Sequence, residues 1–485
     1  MNIKNLKIII IISTLLNLFI KASNFLLNQS LLNFVDVNII GKQRFEFELF
    51  YNSVKELANN SIGLVNLSGN DDNYGELVNL TYLILPLNLI STLFFSSTLI
   101  DFNNKDSDYI LAFKIYILSI TLETLIEPVK LRCIRELKLK RVNFIETLSI
   151  SCKNLITFIS IVSLFNDKPL LSYSFGQLTY SSIHFLTYCY GFKNCLPTFT
   201  HRFNKNNLVK LKSLLFQSVI KLVLTQGDKF LISNQINDDI KGYLTLTDNY
   251  GSLISRLVFL PIEENSKLYF TRSTKYQSSI FIIMLLKLYS LMTLLSLTFI
   301  PTYTSPLLNI ILPKYAIISK YLSNYSIYIP IMAFNGIFES YLHSNFDNKV
   351  IDRSTKFLII LFICLTFLIL LSLKVVSETY QPFVLLYGNI VNLLIRSLYS
   401  YKYTKSSLNI TLHSFLPTFS TFSVCFISTI ITNISYVNYH STLNHFMVGV
   451  SCFLITSITI LIVESKSFMK HYNYLVDSQN DKKGS

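Results

Sequence analysis

Apolar runs of membrane length, separated by short polar gaps, recur along the whole chain. The hydrocarbon core of a bilayer is about 30 Å thick and takes roughly 20 helical residues, so each run predicts one crossing. The runs fall near 8–33, 45–66, 78–100, 108–128, 143–165, 170–191, 213–234, 243–264, 278–300, 322–343, 355–375, 381–400, 410–434 and 443–464, fourteen in all. The pattern predicts an all-α polytopic membrane protein. The second, seventh and eighth runs are the most polar. The first 23 residues admit two readings. Lys4, Lys7, an Ile-rich run and Lys21-Ala-Ser resemble a secretory signal. Apolar residues continue through Phe25-Leu-Leu27, however, which favours a retained first helix reaching about Leu32.

Loop charge sets the orientation. The loops sharing a side with the N-terminus hold Lys130 to Arg141, Lys193 to Lys212, Lys267/Arg272/Lys275, Lys349/Arg353/Lys356, Lys402/Lys405 and the tail Lys466 to Lys483. The opposite loops hold only isolated basic residues. Lys and Arg are retained on the cytosolic side, so both termini are expected in the cytosol. Ser68-Gly-Asn-Asp-Asp72 carries no basic residue on that side, but acidic residues weigh little in this rule. The long basic connection divides the chain into an N-terminal six-helix bundle at 1–191, a cytosolic linker at 192–212, a C-terminal eight-helix bundle at 213–470 and a cytosolic tail at 471–485.

Composition agrees. Of 485 residues, 51% are hydrophobic and 14% charged, against about 25% charged in soluble domains, and the mean hydropathy is +0.44. The net charge of +14 is scattered through short loops and forms no patch, so nucleic acid is not an expected partner; membrane lipids are. With no Trp, any interfacial aromatic belt falls to the 29 Tyr. Seven Cys show no CxxC or Cys/His spacing, so neither a disulfide framework nor a metal site is expected. P-loop, His-Glu-x-x-His and Gly-x-Ser-x-Gly motifs are absent. No catalytic residue and no cofactor is expected. The sequons at Asn28, Asn66, Asn324, Asn409 and Asn433 lie in or beside spans, where glycosylation is not expected.

Against this background, charges inside spans stand out, because one at mid-bilayer costs roughly 2.5–3.5 kcal/mol on insertion scales. In the seventh span Gln217, Lys221 and Asp228 fall within about 40° on a helical wheel. In the eighth, Asn249, Ser252, Arg256 and Glu263 share a face, with Pro261 expected to kink the helix between the last two. Tyr328, Asn335 and Glu339 align in the tenth span, and Asn389, Asn392 and Arg396 in the twelfth. The N-terminal half adds Lys55 and Glu56, then Glu123, Glu127, Glu146 and Lys153. Two readings stay open. The stripes line a hydrophilic cavity suited to a sugar chain and an anionic group paired by Arg256, Lys221 or Arg396. Alternatively they are interhelical glue, with ion pairs such as Lys221–Asp228.

Several segments resemble signature blocks of the eukaryotic oligosaccharide-lipid translocation proteins, within the multidrug/oligosaccharidyl-lipid/polysaccharide flippase superfamily. They are Asn24-Phe-Leu-Leu-Asn-Gln29, Glu127-Pro128, Leu224-Thr-Gln-Gly-Asp-Lys229, Asn249-Tyr-Gly-Ser-Leu253 with Arg256, and Pro261-Ile-Glu-Glu264. Pro330, Ala333-Phe-Asn-Gly336, Glu339, Gly388-Asn389, Asn392 and Arg396 complete the series in family order. The chain departs from the family pattern in the second span, where Lys55-Glu56 replaces an Arg-Glu pair and Asn59 a second Arg. Gln226 stands where an acidic residue is expected.

The resemblance implies two helical bundles around a central polar cavity in the endoplasmic-reticulum membrane. It also implies translocation of a dolichyl-diphosphate heptasaccharide from the cytosolic to the luminal leaflet for N-glycosylation, or an essential accessory role in that step. The candidate substrate-binding residues are Arg256, Lys221, Asn249, Asp228, Glu263, Asn335, Glu339, Asn389, Arg396, Lys55 and Glu56. Rival readings are an ion-coupled exporter using Glu56, Asp228, Glu263 and Glu339, or a non-transporting interaction protein of the same pathway.

Overall fold

The computed structural model describes residues 23–57, 74–99, 106–136, 138–189, 205–233, 235–411, 414–438 and 442–480. Every regular element among them is helical. The expected spans at 8–22 and 58–66, the acidic loop Ser68–Asp72, Asn59, Asn66 and most of the basic linker lie outside the described residues. Contacts divide the chain into two compact units, Met1–Gly242 and Tyr243–Ser485.

The first unit begins with α1 (23–32) and α2 (Val37–Lys42), which runs through a π-helical turn, Gln43–Glu48, into α3 (Leu49–Lys55). Then come α4 (Tyr74–Thr81), α5 (Ile84–Leu99), α6 (Ser107–Arg135), α7 (Leu139–Ile159), α8 (Pro169–Cys189) and α9 (Lys205–Ser233), and the first turn of α10 (Asp238–Gly251). Phe47, Phe50, Tyr51, Phe113 and Tyr116 form an aromatic core between α3 and α6. Its rings meet edge to face, as Phe47 does with Tyr116 at 5.1 Å between centroids. At the crossing of α2 and α10, a Cβ on Gly41 would collide with the Asp238 carbonyl, and one on Gly242 with that of Val37. Only glycines permit backbones so close.

The helix α9 is held here by Leu222 in the aromatic core, by Phe230 stacked on Phe95 at 5.2 Å, and by an ion pair from Lys221 to Glu56. Its contacts therefore group it with the chain before Gly242, whereas the sequence division at 192–212 set it with the second bundle.

The second unit contains α11 (Leu260–Arg272), α12 (Lys275–Ile311), α13 (Ser319–Asn345), α14 (Asn348–Val375), α15 (Gln381–Leu408), α16 (Phe419–Asn438) and α17 (Thr442–Asn480). A capping box starts α12, with Thr274 accepting from the Gln277 N–H and the Gln277 side chain returning the bond. The eighth predicted span is irregular before its proline. The helix continues through Ser252, which bonds back to Asp248 and accepts from Arg256. It then passes through a π turn at Ser255–Phe259 and runs on as α11 with Pro261 in its first turn. Pro261 has no N–H for the carbonyl four residues back, and its ring presses on that carbonyl. The irregularity therefore precedes the proline. A π turn holds an extra residue, so Glu263 is rotated off the face that Asn249 and Arg256 would share on a regular helix.

Eight helices among the described residues are long and apolar enough to cross a membrane: Val78–Thr98, Ser107–Arg135, Lys140–Leu164, Lys275–Ile311, Lys349–Val375, Glu378–Leu408, Phe419–Asn438 and Thr442–His471. Each coincides with a predicted run. In α14, α16 and α17 large apolar side chains face outward, among them Ile360, Phe367, Phe422, Phe426 and Leu461. An apolar exterior of this extent suits lipid rather than water. This is a multi-pass membrane protein.

Candidate functional site

Each unit holds a polar cluster among its helices. In the first unit the hub is Glu123 of α6, a carboxylate almost wholly buried. Lys55 of α3 pairs with its Oε2 at 2.9 Å. Tyr51 donates to Oε1 at 2.5 Å, Ser181 at 2.7 Å and Gln177 at 3.5 Å. Lys153 of α7 donates to Gln177 at 2.7 Å. Tyr180 donates to Glu146 at 2.7 Å and lies under the Lys55 ammonium, 5.7 Å from the ring centroid. The helices α6, α7 and α8 each supply members of this cluster: Glu123, then Glu146 and Lys153, then Gln177, Tyr180 and Ser181.

Nearby, Lys221 reaches Glu56 at 2.9 Å. The intrahelical pair Lys221–Asp228 does not form. Asp228 instead accepts the Lys229 backbone N–H at 2.8 Å. Lys221 is drawn to a carboxylate on a neighbouring segment because Asp228 stands two helical turns away on its own.

In the second unit, Arg396 of α15 forks onto Glu339 of α13, with bonds of 2.9–3.1 Å to both carboxylate oxygens. Planar guanidinium and carboxylate match in this two-point geometry. One turn before Glu339, Asn335 is buried and its Oδ1 has no hydrogen-bond partner among the described residues. Glu263 pairs with Lys267 at 3.0 Å and packs on Gly336, where a Cβ would crowd its carboxylate. Arg256 is exposed and donates to the Asn249 carbonyl at 2.7 Å. Asn389 is half-buried, two turns before Arg396 on the same helix. The predicted residues thus fall into Lys55, Glu56 and Lys221 with Asp228 in one unit, and Glu339–Arg396 with Asn335, Glu263, and Arg256–Asn249 in the other.

At the end of α6, outside the membrane-spanning run, Lys138 and Arg132 both hydrogen-bond Glu136 and hold its carboxyl down at about 2.

Residues 9–474 match the family profile of Rft-1, described as Rft protein. The chain belongs to the Rft-1 family. Among curated proteins, it is 25% identical over 96% of both chains to the Man(5)GlcNAc(2)-PP-dolichol translocation protein RFT1 of Dictyostelium discoideum. It is 30% identical to the protein of that name from Candida glabrata, over 61% of this chain and 59% of the other. Among solved structures, the lipid II flippase MurJ in its inward closed conformation superposes with a TM-score of 0.62. It covers 93% of this chain and 99% of its own at 14% identity, and so shares the fold.

Within this Rft-1 chain, sequence reasoning missed two features. Glu123 was visible as an intramembrane charge, but its donors Tyr51, Gln177 and Ser181 carry no charge and signal nothing by pattern. The other is a buried pair, Lys287 of α12 and Glu464 of α17, at 2.7 Å. Both sit in strongly apolar runs, and two opposite charges there were the signal that could have found them.

Proposed function

We propose that this protein carries a dolichyl-diphosphate-linked oligosaccharide from the cytosolic to the luminal leaflet of the endoplasmic reticulum, or is essential to that step, in protein N-glycosylation. The observation that carries this reading is the end-to-end likeness to a protein named for Man(5)GlcNAc(2)-PP-dolichol translocation, 96% of both chains. The common fold with a lipid flippase supports it. On this reading both termini are cytosolic, and the protein moves its cargo without altering it chemically.

Binding roles follow from which charges have spare capacity. Lys55, Lys221 and Arg396 are each engaged by a carboxylate, namely Glu123, Glu56 and Glu339. Among the described residues Arg256 donates to a backbone carbonyl and is exposed, so it keeps donors for a phosphate. Asn249, Asn335 and Asn389 offer neutral groups to sugar hydroxyls. The exporter reading asks for carboxylates able to exchange ions. Of the four carboxylates, Glu56, Glu263 and Glu339 are instead tied to Lys221, Lys267 and Arg396, while Asp228 accepts the Lys229 backbone N–H; the three ion pairs favour the glycolipid.

The test is depletion of the protein in its own cells with profiling of lipid-linked oligosaccharides. The expected result is accumulation of the last intermediate built on the cytosolic face, with underglycosylated protein. An unchanged profile would overturn the reading.

A further inference from the structure

A small cavity of about 10 Å³, room for one water-sized group, lies between α3, α5 and α6, lined by Tyr51, Lys55, Asn88, Ile120, Glu123 and Thr124. Its hydrogen-bonding inventory is unbalanced in a specific way. Thr124 spends its one hydroxyl proton on the Ile120 carbonyl at 2.5 Å, so toward Asn88 it can only accept. Asn88 therefore presents its Nδ2 to Thr124 at 2.6 Å. That fixes the amide, and leaves Oδ1 buried with no donor among the described residues; the residue is only 6% exposed. Across the cavity the Lys55 ammonium gives one N–H to Glu123 and one to Tyr51, at 2.9 and 3.3 Å. Its third N–H makes no hydrogen bond among the described residues, the Tyr180 ring lying 5.7 Å from the ammonium. One open acceptor and one open donor thus line the same space.

We infer that this cavity is a hydroxyl-binding subsite, in which a hydroxyl accepts from Lys55 and donates to Asn88 Oδ1. The wall selects that chemistry. An anion would face Asn88 Oδ1 and the Glu123 carboxylate, and a cation would face Lys55, whose charge Glu123 already balances. Only a group that both donates and accepts satisfies both openings. The volume takes a hydroxyl or a single water, but no oligosaccharide. Resting on the function proposed above, the subsite takes a hydroxyl of the headgroup glycan, and Asn88 is its specificity residue. This makes Lys55 a sugar ligand.

The experiment uses the full chain in lipid nanodiscs and two probes: a short-chain isoprenyl diphosphate carrying chitobiose, and the same lipid diphosphate without sugar. Asn88→Leu removes the acceptor while keeping the same branched heavy-atom framework. Asn88→Asp keeps the shape and supplies a carboxylate that takes the open Lys55 N–H from within, which covers the case that the leucine variant does not fold. Each variant is expected to bind the glycosylated probe about three- to tenfold more weakly, the value of one neutral hydrogen bond, and the sugarless probe unchanged. Equal weakening for both probes, or wild-type affinity for both, would overturn the subsite; the second result assigns the cavity to a structural water. If the wild-type protein binds neither probe, the headgroup reading itself falls and the subsite with it.

Discussion

Replacing Glu464 by Ala should destabilise the second unit by about 4 kcal/mol. Glu464 is 1% exposed and makes four contacts. Its Oε2 meets Lys287 at 2.7 Å. Its Oε1 accepts from the Thr418 N–H at 2.8 Å and from the Thr418 and Thr421 hydroxyls at 3.0 Å each. The carboxylate thus joins α12 to α17 and caps the start of α16. Deleting one partner of a buried pair leaves the other charge without compensation, at about 3–5 kcal/mol; losing a cap adds roughly 1 kcal/mol, not fully additive. Lys287→Met alone should cost a similar amount, because Glu464 then keeps its charge without the ammonium. The double change Lys287→Met/Glu464→Gln holds no charge and keeps acceptors for Thr418 and Thr421. It should lie within about 1 kcal/mol of wild type, because buried pairs replaced together lose little. Unfolding of the full chain in mixed micelles of a neutral detergent and dodecyl sulfate, followed by circular dichroism, measures all four proteins. A double variant as unstable as the sum of the singles would refute the reasoning, as would a loss below about 1 kcal/mol for Glu464→Ala.

Three further outcomes are expected. Arg256→Ala should abolish complementation of a depleted strain while the protein still inserts, since its hydrogen bond among the described residues is to a backbone carbonyl; normal growth would remove Arg256 from the mechanism. Gly41→Val should cost about 1–3 kcal/mol in the same unfolding assay, because its Cβ would meet backbone at the α2–α10 crossing; an unchanged midpoint would show that the crossing relaxes. Glu136, held down at about 2 by Lys138 and Arg132, should stay ionised through mild acid. Its folded value lies below its ordinary value of 4.5, so whatever stability it lends is present above 4.5 and lost as pH falls through about 2. Carboxyl NMR titration of the helix end would check it, and a midpoint near 4.5 would show that neither cation holds it.

What the sequence revealed and what it hid divide by range. Eight predicted runs recur as apolar spanning helices because hydropathy is a local property read within one helix length. The tenth run, around Asn335 and Glu339, is helical as well, in α13, although more polar. The stripe from Asn249 to Glu263 failed because a wheel assumes a constant turn, and the π turn at Ser255–Phe259 changes it. Partners were the hardest to read. Lys221 was matched to the carboxylate on its own helix, but Glu56, far off in sequence, is the one it meets. Glu339 and Arg396 were each visible on a face, yet only packing of α13 on α15 joins them. Asn88 gave no signal at all, because an amide in an apolar run becomes informative only when Thr124 is seen to fix its orientation.

The pairing of these charges bears on how a large headgroup could be moved rather than held. A lone cation in a low-dielectric bundle would grip a diphosphate strongly, and a strongly bound cargo is released slowly. Here Lys55, Lys221, Lys267, Lys287 and Arg396 each carry a carboxylate partner within 3.0 Å. Each pair leaves little net field but keeps donors and acceptors at its edges, which suits many weak, exchangeable bonds to sugar hydroxyls. An exposed guanidinium such as Arg256 can then supply the directional contact to phosphate at one point along the way. A cluster built for tight anion capture would show the reverse, with several cations converging and their carboxylates elsewhere. In both units the carboxylates stand beside the cations, and that arrangement fits passage of a mostly neutral glycan better than storage of a charged one.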